Sequence, residues 1–341
     1  MTYKKQFERY ESIMECFWPD ADKLPDEPDN LHPLLGLVLG DDHKGICGRT
    51  NHCVSRIKNE HPNWLSSKSK IVLHDKDYSN VSSTLGEIRA LGELIWIWNS
   101  NIKTPKDGCD FILETKIGYK VRYEVFTPQH RTKRYSREIS DDQSKNVRMK
   151  VSERFPFGWP ERPTKDNVQG EAVSQLAQIK EKEHQFNTED ISVLWLDFRD
   201  PLLWPMDFKS DQLLPISAFR EELTSGSCWN AFYGKKELPI FDQLSVLGLP
   251  SRSYDMEFDG RFNQNSLIDF VIISSQEQQV VFENHMKTKT IPDNFYKSLY
   301  RLFGFNLELS WLDWPLRGNL KSRVEHELET IRIYKNIFKD F

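Results

Sequence analysis

The chain has few cysteines, no long apolar run and no marked charge excess, and each shortage removes a class of protein. Five cysteines in 341 residues, at positions 16, 47, 53, 109 and 228, are odd in number and widely scattered. That pattern excludes a disulfide-stapled scaffold and leads us to expect a reducing, cytoplasmic setting. The longest apolar runs, around 34–39 and 94–98, fall far short of the roughly 20 residues a bilayer requires. We therefore expect no membrane association. Met1-Thr2-Tyr3-Lys4-Lys5 opens a charged segment with no apolar stretch behind it, so no secretory leader is expected. Glycine-rich phosphate loops, G-x-S-x-G and H-E-x-x-H are all missing, which leaves nucleotide-fold, hydrolase-triad and zincin readings without a foothold. There is no internal repeat or low-complexity tract. A net charge of −5 gives no global sign of a nucleic-acid partner, although an acidic protein can carry a local basic groove. What remains is a globular composition with 38% apolar residues, ten Trp and twenty-one Phe, enough for a large core.

Hydrophobic periodicity divides the chain into an N-terminal, mainly helical extension (1–78), an α/β core (79–315) with a basic insertion at 129–170, and a C-terminal helix (316–341). Residues 3–17 read as a helix ended by Pro19, 50–60 as a second helix, and 69–74 as a short strand. Leu91, Leu94, Ile95 and Trp98 form one stripe of an amphipathic helix over 84–98. Residues 111–114 and 120–126 alternate with period two around the turn Ile117-Gly118-Tyr119. Helical period returns over 171–186. Residues 191–198 are nearly all apolar, as a fully buried strand requires. Strands at 267–274 and 278–284 form a second hairpin. A helix follows Pro292, and Leu320, Val324, Leu328 and Ile331 define the last one. The order is helix–β–β–helix–β followed by appended elements, an α/β sandwich.

Asp110 and Glu124 lie fourteen positions apart at the ends of the first two strands, and a helix carrying Glu87 and Glu93 precedes them. Carboxylates so placed can share one divalent ion. Mg²⁺ takes one or two carboxylates plus water and phosphate oxygens, and so placed it serves phosphodiester hydrolysis. Each residue also has a plainer reading. Asp110 and Glu124 can be cross-strand partners of Lys116, Lys120 or Arg122. Thr84-Leu85-Gly86-Glu87 fits a capping box, in which Glu87 caps its own helix, though the glutamate also sits on the core-facing stripe. Lys180 and Lys182 fit a solvated helix face.

Gly108-Cys109-Asp110-Phe111, then Tyr123-Glu124-Val125-Phe126, then 178–186 running into Val193-Leu194-Trp195-Leu196-Asp197-Phe198, resembles the PD-(D/E)xK nuclease superfamily. The resemblance covers about 81–200. It implies a restriction-endonuclease-like αβββαβ core, a mixed sheet flanked by helices. It implies Mg²⁺ (or Mn²⁺) on Asp110 and Glu124, with Glu87, or Glu93 in its place, completing the acidic shell. It further implies nuclease activity on DNA, in a defence, repair or mobile-element setting. Two positions depart from the family pattern. Cys109 stands where Pro is usual, and Phe126 stands where the motif lysine belongs. Lys180 is the expected displaced lysine, with Lys120 and Arg122 as further candidates. An inactive nuclease-like fold, serving as a nucleic-acid-binding or assembly module, is the alternative that Phe126 keeps open.

Directly after the second strand, residues 129–154 carry eight Lys or Arg (131, 133, 134, 137, 145, 148, 150, 154) against four acids. Gln129, Arg131, Lys133, Arg134 and Arg137 are the expected contacts to backbone phosphates, the alternative being a solvated loop. His43, Cys47, His52 and Cys53 include zinc-ligating atoms, but their spacing matches no standard pair arrangement and reads as a folded segment with reduced thiols. The tryptophans at 195–229 and 311–314 read as packing. The C-terminal helix can dock on its own core or on a second copy or partner protein.

Overall fold

The computed structural model describes residues 9–17, 34, 46–98, 101–106, 108–128, 176–182, 184–198, 213–219, 222–241, 244–245, 253–275, 278–315 and 318–337. In chain order the elements begin with helices α1 (Glu11–Phe17), α2 (Ile46–Glu60), α3 (Pro62–His74) and α4 (Tyr78–Trp98). Strands β1 (Ile102–Lys103), β2 (Phe111–Glu114), β3 (Lys120–Phe126) and β4 (Ile191–Asp197) follow. Then come β5 (Ser217–Phe219), β6 (Glu222–Thr224), α5 (Ser227–Tyr233), β7 (Pro239–Phe241), β8 (Leu244–Ser245) and β9 (Ser253–Asp255). Strands β10 (Phe270–Ser274) and β11 (Gln279–Glu283), then α6 (Asp293–Leu299) and α7 (Leu320–Ile337), complete the set.

The main sheet is mixed and six-stranded, in the order β1-β2-β3-β4-β10-β11. β1, β2 and β3 form an antiparallel meander, β3 runs parallel to β4 and β4 to β10, and β11 returns antiparallel. Alternation along the strands feeds two cores. Phe111, Leu113, Val121, Tyr123, Val193, Trp195 and Ile272 point to one face, where they join Val54, Ile57, Leu65, Val72, Leu85 and Leu91 of the N-terminal helices. Leu194, Leu196, Val271, Ile273 and Phe282 point to the other, against Trp229 and Phe232 of α5 and Val324, Leu328 and Ile331 of α7. Every residue of β4 is buried, which is why that stretch reads as a nearly continuous apolar run. Smaller sheets β5-β6-β8 and β7-β9 lie beside this second face.

Both predicted hairpins, β4 and the stripe of α7 stand where periodicity puts them. The segment at 69–74, expected as a strand, is the last part of α3. Its Ile-Val-Leu run is short enough to fit either period, and Leu65, Ser69 and Val72 are the residues it buries, at helical spacing. Pro62 opens that helix at a first-turn position where its missing N–H costs nothing. Helix α4 starts six residues earlier than the stripe suggested. Asp77 Oδ1 caps it by accepting the amide of Asn80 at 3.0 Å. Thr84 is therefore interior, its hydroxyl donating back to the Asn80 carbonyl at 2.8 Å, and the expected capping box is not formed. Within the predicted helix 171–186, the described residues are helical only at 176–177, and the chain then turns and runs irregularly into β4.

Candidate active site

The antiparallel pairing of β2 with β3, with Phe111 opposite Tyr123, brings the residue before β2 beside the end of β3. Asp110 uses that position to tie the two strands. Its Oδ2 accepts the amide of Val125 at 2.8 Å. Glu124 shares the face of Arg122 and lies opposite Leu194 of β4. Its Oε1 accepts from Gln185 Nε2 at 2.5 Å, while its Oε2 is shielded from solvent and has no hydrogen-bond partner among the described residues. Two backbone features hold this corner. Gly108 has a φ of +101°, a left-handed conformation that turns the chain into Cys109-Asp110, and a side chain there would collide with the carbonyl of His184. The segment bearing Gln185 is thereby seated against the strand start. Gly86 lets α4 approach the ends of β3 and β4, since a Cβ would lie 2.1 Å from Thr127 Oγ1 and 3.3 Å from Asp197 Oδ2.

That approach delivers Glu87 from α4. Its carboxylate is ion-paired with Lys68 of α3, and both side chains are largely covered. The three acids feel one another. Burial first, then the charge of Asp110, pushes the Glu87 carboxyl up, and Lys68 opposes this. Burial pushes Asp110 up against the Val125 amide and the Lys68 charge. Glu124 is pushed up to about 8, by burial first and then by Asp110 and Glu87, with Lys182 acting the other way. Half-buried carboxylates raised first by desolvation and then by a neighbouring acid mark a centre that retains protons or gains from a cation.

Two of the strand bases expected to pair with Asp110 and Glu124 are engaged elsewhere. Arg122 pairs with Asp190 at 2.7 Å, and Lys120 lies 3.7 Å from Glu114, which Lys103 also holds. The cross-strand reading of Asp110 and Glu124 therefore does not describe this sheet face. No family model, curated protein or solved structure matches the chain.

Of the expected site residues, the fold brings together Glu87, Asp110 and Glu124. It separates Glu93, which lies on a deeper turn of α4 and pairs with Arg49 at 3.0 Å and with Gln279. Lys180 is exposed and past the last described helical turn; the lysines whose charges reach the carboxylates are Lys68 and Lys182. Phe126, where a motif lysine was expected, packs partly buried against the second core. Gln129, Arg131, Lys133, Arg134 and Arg137 lie outside the described residues, as does His43. Cys53 is buried in α2 directly beneath Gly92 of α4, so it serves helix packing. Trp195, Trp229 and Trp311 are buried in the two cores, consistent with packing.

Sequence reasoning missed Lys68 and Gln185. Trp64 and Lys68 are four apart and so share a face of α3, but the segment's mixed periodicity concealed that helix. Gln185 gave no signal beyond its place in the quoted motif.

Among the described residues, no three His, Cys, Asp or Glu side chains converge tightly enough to form a ready-made metal cage. The donor set instead suits a hard cation that takes two carboxylates and completes its shell with water and phosphate oxygens. The orphaned Oε2 of Glu124 is the observation that fits such a ligand. Among the described residues no helix is long and apolar enough to cross a membrane.

Proposed function

We propose that this chain is a metal-dependent nuclease of PD-(D/E)xK type that cleaves phosphodiester bonds in DNA. One observation carries the reading: Asp110, Glu124 and Glu87, from a strand start, a strand end and a helix, lie half-buried within electrostatic range of each other. Folding bears the cost of that repulsion, which a purely structural role does not require. Element order supports it as well, with helix α4 leading into the β1–β3 meander and β4 lying parallel to β3. Asp110 and Glu124 would hold Mg²⁺ or Mn²⁺. The chemistry a bound cation supplies there is polarisation of the phosphate and a lowered pKa for an attacking water. Asp110, fixed by the Val125 amide, and Glu124, fixed by Gln185, keep their carboxylates oriented before any ligand arrives. Glu87 adds a third carboxylate, ion-paired with Lys68. The sequence right after β3 is rich in Lys and Arg, which suits an acidic centre that must still attract a polyanion.

The test is cleavage of supercoiled plasmid and of single-stranded DNA with Mg²⁺ or Mn²⁺, alongside Mn²⁺ calorimetry. Cutting that needs the metal and disappears in both Asp110→Ala and Glu124→Ala is the expected result. A protein that does not cut with either metal would overturn the proposal, and one that also binds no Mn²⁺ would leave the inactive binding module in its place.

A further inference from the structure

The acidic centre has three carboxylates but, with Phe at position 126, no strand lysine beside them. Phosphodiester hydrolysis builds negative charge on the phosphate oxygens, and a fixed cation near the metal position is the usual way a protein answers it. Among the described residues three lysines are the candidates for such a cation. Lys180 is exposed. Lys182 is also exposed, and its charge acts on Glu124. Lys68 alone is both largely covered, at 23% side-chain exposure, and in direct contact with a centre carboxylate. Its ammonium is also held 5.4 Å from the ring of Trp64, one helical turn back on α3. The Trp64 ring in turn packs edge-on against Phe111 at 5.8 Å, and Phe111 directly follows Asp110. Lys68 is thus referenced to the same strand start that positions Asp110.

We propose that Lys68, from a helix that precedes the core, is the catalytic lysine of this centre, resting on Glu87 in the free protein and contacting a phosphate oxygen when DNA is bound. This rests on the nuclease reading above. Its side chain is long enough to swing from one oxygen to another without moving α3, and Trp64 offers it an apolar and π-rich track. The partnership with Glu87 keeps the cation folded inward while no phosphate is present.

The experiment compares wild type, Lys68→Met and Lys68→Arg in the full chain, with plasmid cleavage, Mn²⁺ calorimetry and thermal unfolding as readouts. Lys68→Met should fold, bind Mn²⁺ at least as tightly as wild type because a competing cation is gone, and lose about 100-fold or more in kcat. Lys68→Arg, which keeps the charge, should recover at least about a tenth of wild-type activity. If Lys68→Met does not fold, Lys68→Gln, which keeps a hydrogen bond to Glu87 without the charge, takes its place. Cleavage by the neutral variant within about threefold of wild type would overturn the assignment and leave the nuclease reading standing. Loss of Mn²⁺ affinity together with cleavage would also overturn it, since Lys68 would then act only by holding the carboxylates. If wild type itself fails to cut, the nuclease reading fails first and the assignment falls with it.

Discussion

Glu124 shows how one carboxylate can be held half-buried at the expense of stability. Its Oε1 is held by Gln185, its Oε2 has no partner among the described residues, and its carboxyl is pushed up to about 8. The consequence for stability has a definite sign. Near the ordinary carboxyl value of 4.5 the unfolded chain gives up the Glu124 proton, whereas the folded chain keeps it until about 8. Across that window the unfolded state binds fewer protons, so the free energy of unfolding falls as pH rises. Glu124→Gln removes the ionisable group and should make the protein more stable than wild type at pH 8 by roughly 1–3 kcal/mol, allowing for partial solvent screening, with little difference at pH 4. Urea melts of both proteins at the two pH values check this, and a variant less stable than wild type at pH 8 would contradict it. Asp110 and Glu87 are raised in the same direction, so their neutralisation should add to the trend.

At the scale of elements, the site depends on how α4 is clamped to the sheet. Arg89 of α4 is buried and donates to Asp197 at the end of β4, Nε to Oδ2 at 3.0 Å, with a second guanidinium nitrogen on the same oxygen. The pair lies one turn of helix from Gly86, where α4 touches Thr127 and Asp197. Helix α4 is thereby fixed lengthwise, which sets how far Glu87 reaches toward Asp110. Removing one partner of a buried ion pair strands the other charge. Arg89→Met should therefore cost about 3–5 kcal/mol of stability and weaken Mn²⁺ binding, although Arg89 is not itself a ligand. Chemical denaturation and calorimetry on the variant test the two effects together. An unchanged Mn²⁺ affinity would show that α4 is positioned by its apolar contacts with α2 and the sheet instead.

For the whole molecule, the cluster predicts a response to divalent ions. The folded chain gathers Asp110, Glu124 and Glu87, and the unfolded chain does not, so an ion that binds the cluster stabilises the fold by mass action. At a hundredfold excess over its dissociation constant the gain is about 2.7 kcal/mol. Because the ligands must lose their protons to bind, the rise in melting temperature with Mn²⁺ should be larger at pH 8 than at pH 6, and absent in Asp110→Ala. Differential scanning fluorimetry across pH reads this directly, and an equal shift in Asp110→Ala would place the ion elsewhere. The same whole-molecule view explains the N-terminal helices. Val54, Ile57, Leu65 and Val72 share one apolar cluster with β2, β3 and β4, so α3, which carries Lys68, is held against the core that it serves.

The sequence alone carried β2, β3, β4, β10 and β11, their alternation and the acids at 110 and 124, because those depend on periods of two and on residues a few places apart; it did not carry β1 or the short strands β5–β9. It also placed the stripe of α7. It did not carry the pairing of Lys68 with Glu87, the Arg89–Asp197 clamp or the separation of Glu93 from the centre. Those contacts span 19, 108 and 186 residues, the last being the reach from Glu93 to Gln279. Nor could local pattern choose between helix and strand for the short apolar run at 71–73, where tertiary burial against the sheet decided the matter. Residue type and spacing determined which groups were available for chemistry. Only the packing of α3 and α4 onto one end of the sheet decided which of them meet, since burial and charge coupling depend on distance in space and not along the chain.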